Sequence, residues 1–143
     1  MVVKERLIQE QLKELDTVLE ELAKYREKQE SDLASSLSLR WIVERGLLAS
    51  ATLVFDILDH ILSASFGAYS QTYEDTLRTA HEKGVLSDGL YGEMKGLGGF
   101  RNILVHEYVR VDLRPLCENL NKAFRVFPAF SGEIQEWVRK RPE

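Results

Sequence analysis

Apolar residues recur along this chain at helical spacing, with no sustained period-two alternation to signal a strand. In the first segment, about Val3 to Lys28, Ile8, Leu12, Leu15, Leu19 and Leu22 follow one another at steps of four and three. They form one stripe on a helix otherwise rich in Glu and Lys. Ser31-Asp32 and the serines that follow mark a turn. A second long helix is predicted from about Leu39 to Ser63, with a broad apolar face around Leu47, Ala51, Val54, Leu58 and Ile61. Thr72 has the character of an N-cap for a short third helix that Gly84 stops. Ser87 caps a fourth carrying Leu90, Met94, Leu97 and Leu104. Asp112 caps a fifth, with Pro115 in its first turn and Pro128 expected to kink or break it. The expectation is an all-α fold, residues 1–143 forming a single helical bundle of about five helices, two of them long.

Composition fits that picture. The chain has 143 residues, 44% hydrophobic and 29% charged, enough to bury one core. Cys117 is the only cysteine, so neither an internal disulfide nor a multi-cysteine zinc site can form. The N-terminus meets Lys4, Glu5 and Arg6 at once and offers no signal-peptide core. The run Leu47 to Phe55, bounded by Arg45 and Asp56, is shorter than the roughly 20 residues a membrane span needs. A cytoplasmic protein, with no membrane association, is expected. The net charge of −4 argues against non-specific coating of nucleic acid. Acidic residues outnumber basic ones up to residue 100 and the balance reverses afterwards, compatible with a local phosphate site.

Most catalytic templates are excluded. The glycines at 96, 98 and 99 are followed by Phe100 and Arg101 rather than the lysine and hydroxyl of a phosphate loop. There is no His-Glu-x-x-His, no calcium-loop spacing and no nucleophile elbow. His60 lies four residues after Asp56, the spacing of a helix-surface ion pair. His81, near the end of the third helix, suits a structural role at the negative end of the dipole. Gly96, Gly98 and Gly99 mark either a break between two helices or a close backbone crossing.

One segment remains: Arg101-Asn102-Ile103-Leu104-Val105-His106-Glu107-Tyr108. Arginine brings a permanent charge and a planar fork matched to a phosphodiester. Histidine takes and gives protons near neutral pH. Together they suffice for RNA cleavage through the ribose 2′-hydroxyl, without metal or cofactor. One histidine is little for both acid and base, and five helical residues set Arg101 and His106 roughly 140° apart. Both difficulties ease if two chains pair about a two-fold axis.

The segment Arg-x4-His-x-Tyr, with Asn102 directly after the arginine, resembles the motif of the HepT toxins of HepT–MntA toxin–antitoxin systems, in the HEPN superfamily. The stretches Arg40 to Arg45, Asp56 to Ile61 and Thr72 to Ser87 resemble the family's second and third helices. The resemblance implies a homodimeric, metal-independent endoribonuclease with Arg101 and His106 as the catalytic pair and Asn102 orienting the substrate. It also implies a partner, an MntA-type minimal nucleotidyltransferase antitoxin that attaches AMP to Tyr108. The alternative is a non-catalytic helical module that binds a nucleotide or the transferase.

Overall fold

The computed structural model describes residues 2–106 and 111–141. Its elements are seven helices: α1 (Glu5–Ala23), α2 (Glu30–Ser35), α3 (Leu37–Phe66), α4 (Tyr73–Glu82), α5 (Asp88–Met94), α6 (Leu97–His106) and α7 (Leu113–Lys140). The all-α expectation holds, with no strand among the described residues. Three helices are long rather than two, and the predicted layout divides differently at two points.

The first falls after α1, where α2 replaces the turn expected at Ser31-Asp32. Its five-residue stripe is buried as the spacing requires, but the helix stops at Ala23. Gln29 and Asp32 then form a reciprocal cap, the Gln29 N–H donating to Asp32 Oδ2 at 2.8 Å, and start α2. That short helix exists to bury Leu33, which has no exposed surface. The second division falls at Gly96, whose φ of +91° ends α5 and lets α6 start in a new direction.

The caps expected at Thr72, Ser87 and Asp112 are present, and Ser36, read only as part of a turn, is a fourth. Ser36, Thr72, Ser87 and Asp112 each accept a backbone N–H from the first turn of α3, α4, α5 and α7. Gly67, at φ +59°, closes α3. One expectation is corrected: α7 passes Pro128 without a break. Proline there forfeits a helical hydrogen bond, but Pro128 lies on the exposed side of α7. On the other side, Leu116, Leu120, Ala123, Phe127, Phe130, Ile134 and Val138 hold both halves to one core.

α3 is the axis of the bundle, packed against α1, α2, α4, α6 and α7. It is apolar around most of its circumference, and by length and composition alone it matches a membrane span; half of that stretch is buried among the other helices. At its N-terminal end Leu37, Trp41 and Ile42 remain open. The crossing with α1 is close, since a Cβ on Gly46 would collide with the Leu22 side chain.

Candidate functional site

The motif helix α6 is anchored on two sides. Leu97 and Phe100 are buried in the core. Gly98 lies against the first turn of α4, close to Tyr73 and Glu74. The Glu74 carboxylate accepts from the N–H of Gly96 at 2.8 Å and of Gly98 at 2.9 Å. A side chain from another helix thereby caps α6, and its negative charge suits the positive end of the helix. Both earlier readings of the glycines are therefore true at different positions: Gly96 is the break and Gly98 the close crossing.

This anchoring sets where the motif side chains lie. Arg101 is half-buried, with its guanidinium carbon 4.6 Å from the centre of the Tyr73 ring. Its Nε is buried with no hydrogen-bond partner among the described residues. Nor does a carboxylate among those residues pair with it within 4 Å. Asp56 of α3 is close enough to feel its charge. Asp56 is itself an exposed residue, but partial desolvation against α3's neighbours raises its carboxyl above the usual range, and the Arg101 charge opposes that rise. Asp59, one turn on, accepts from the Thr76 hydroxyl at 3.2 Å. It is raised too, chiefly by burial, with that hydrogen bond opposing and Asp56 adding to the rise.

Asn102 and His106 are exposed, on the side of α6 away from the core. Because α6 is unbroken from Leu97 to His106, the roughly 140° offset applies. Within one chain, Arg101 and His106 point from divergent faces. Tyr108 lies outside the described residues. Beyond α6 on the α7 side runs a groove of about 390 Å³, walled by Leu97, Phe100, Ile103, Val126 and Phe127, with Lys95 and Lys122 at its edge.

The other candidates resolve into structural roles. His60 does not pair with Asp56; its Nε2 accepts the backbone N–H of Lys4 at 2.9 Å and ties the start of α1 to α3. Burial, with the Lys4 charge, lowers its pKa. His81 stacks on Tyr91 and meets Asp88 at 2.5 Å, as a structural residue would. No three His, Cys, Asp or Glu side chains gather as metal ligands among the described residues. Residue spacing missed Tyr73 and Glu74, whose only visible signal was the Thr72 cap that places them in a first turn.

Comparison with known proteins converges on one group. A curated relative, the tRNA nuclease HepT of Aphanizomenon flos-aquae (strain 2012/KM1/D3), is 26% identical over 132 residues, 92% of this chain and 90% of that protein. Among solved structures, the tri-AMPylated Shewanella oneidensis HEPN toxin in complex with its MNT antitoxin superposes with a TM-score of 0.79 at 19% identity, over 90% of this chain and 96% of that one. A toxin–antitoxin structure with AMP-PNP gives 0.81 at 18%, over 92% and 98%. The cytosolic protein of unknown function YutE from Bacillus subtilis gives 0.79 at 17%, over 100% and 98%. These likenesses establish the HEPN-like fold. The family model described as ribonuclease HepT-like matches residues 8–134, and the chain is a member of that family.

Proposed function

We propose that this protein is the endoribonuclease toxin of a toxin–antitoxin pair, cutting RNA without a metal ion. The observation that carries the reading is the Arg101 guanidinium. It is held against Tyr73 without a carboxylate partner among the described residues, on the same helix as His106. A paired arginine has its fork filled; no carboxylate among the described residues fills this one, which supports its terminal N–H groups meeting a phosphate.

In the reaction, the ribose 2′-oxygen forms a bond to phosphorus while the bond from phosphorus to the 5′-oxygen breaks. A 2′,3′-cyclic phosphate and a 5′-hydroxyl result. One imidazole takes the 2′-hydroxyl proton, another protonates the leaving 5′-oxygen, and Arg101 stabilises the negative charge on the non-bridging oxygens of the pentavalent phosphorane. Each chain supplies one His106 on a face that diverges from its own Arg101. The working unit is therefore a homodimer, with motif helices facing each other about a two-fold axis. Asn102, on the exposed side of α6 with His106, orients the substrate.

The partner is a minimal nucleotidyltransferase antitoxin of the MntA type, and Tyr108 is its AMP acceptor. Added phosphates near Arg101 would occupy the charge that the substrate requires. Since a relative is named a tRNA nuclease, transfer RNA is the first substrate to offer.

The test incubates unmodified protein with tRNA in EDTA beside Arg101→Ala and His106→Ala. Cleavage by the parent alone supports the reading; intact RNA at every protein concentration overturns it. The groove beside α6, apolar with lysines at its edge, favours one alternative, a non-catalytic nucleotide-binding module. That alternative predicts uncut RNA together with nucleotide binding.

A further inference from the structure

The first turn of α4 touches α6 at three points. The Tyr73 ring lies under the Arg101 guanidinium at 4.6 Å. The Tyr73 Cβ packs where a side chain on Gly98 would be, and the Glu74 carboxylate holds the Gly96 and Gly98 N–H groups. Tyr73 is itself fixed. Its ring lies 4.6 Å from that of Phe55, a buried α3 residue, and its backbone opens a helix capped by Thr72.

We propose that Tyr73 is a positioning residue for Arg101, holding the guanidinium plane in the attitude that meets the scissile phosphate. This rests on the ribonuclease reading above. A guanidinium grips a phosphate with N–H groups that lie in its own plane. A carboxylate partner would orient it equally well but would fill those same groups and cancel the charge. An aromatic face attracts the cation from above and leaves the in-plane donors open. The crossing also explains why position 98 has no side chain: a Cβ there would push α4 and its ring away from Arg101. The function asked of Tyr73 needs a ring and not a hydroxyl.

The test compares tRNA cleavage by the parent, Tyr73→Phe and Tyr73→Met, with melting temperature and circular dichroism confirming the fold. Tyr73→Phe should cut within about twofold of the parent, since the ring face is kept. Tyr73→Met, of similar bulk but with no face, should lower kcat about tenfold while KM changes less than about twofold, because a misaligned fork is felt most in the transition state. The pH profile should not move, since no proton carrier is lost. Tyr73→Leu gives the same reading if the methionine variant fails to fold. In an Arg101→Lys background the loss from Tyr73→Met should largely vanish.

Full activity in both Tyr73→Met and Tyr73→Leu, a loss in Tyr73→Phe as deep as in Tyr73→Met, or losses that add undiminished to Arg101→Lys would overturn the role while leaving the ribonuclease reading intact. A parent that leaves tRNA intact at every protein concentration ends both.

Discussion

Gly98 of α6 lies so near Tyr73 of α4 that a Cβ built on it would stand 2.5 Å from the Tyr73 Cβ and 2.7 Å from Glu74 Oε2. Its neighbour Gly99 is exposed and would meet nothing within 4 Å. The same substitution should therefore have opposite signs at adjacent positions. Gly98→Ala must displace a helix backbone and should cost about 1–3 kcal/mol, as overpacking does. Gly99→Ala gains helix propensity and should stabilise by up to about 1 kcal/mol. Urea denaturation of the two variants beside the parent checks both, and equal shifts would contradict the crossing.

Arg101→Lys keeps the positive charge and loses the planar fork. If charge alone mattered, cleavage would survive. Because the guanidinium carbon lies over the Tyr73 ring, the lysine variant should lose about 100-fold in kcat/KM, the scale of one lost transition-state donor. Its melting temperature should stay near that of the parent, since no ion pair among the described residues is broken. Steady-state kinetics on tRNA, with a thermal scan, settles the point.

His60 gives stability a pH dependence with a definite sign. Its Nε2 must be unprotonated to accept the Lys4 N–H, and its folded pKa lies below the ordinary value of about 6.5. The unfolded chain therefore binds the proton first as pH falls through that value, and stability drops with it. The melting temperature should decrease from pH 7.5 to 5.5. His60→Gln, which also offers an acceptor, should show a smaller decrease. Parallel slopes for the two proteins would rule this histidine out as the source.

Asp56 carries the opposite sign. Partial desolvation holds its folded pKa above the unfolded one despite the Arg101 charge, so the native state is the better proton binder and the carboxylate is disfavoured at neutral pH. Asp56→Asn should raise the melting temperature at pH 7, and the advantage should fade as pH falls towards about 4, where the parent's own carboxyl is protonated. The variant should also bind RNA more tightly at low salt, since a negative charge near Arg101 is gone. A variant less stable than the parent at pH 7 would show that the carboxylate contributes more than its desolvation costs.

The helices and their caps were legible because they are local matters. The stripe on α1 needs only residues three and four apart, and Thr72, Ser87 and Asp112 cap N–H groups two or three residues ahead. The motif Arg101 to Tyr108 was legible for the same reason, as a run of types with a chemistry. Pro128 misled because its local cost was plain, while the apolar face that outweighs it depends on the packed core.

Chain order alone determined an all-helical protein and most of the helix ends, and it singled out Arg101 and His106 as the candidates for chemistry. Folding decided that Tyr73 and Glu74, more than twenty residues before α6, would set that helix's position and put Arg101 on a ring, with no ion pair among the described residues. The physical reason is range. Helical hydrogen bonds and caps close within one turn, whereas a contact between α4 and α6 depends on how the whole apolar core brings distant turns together.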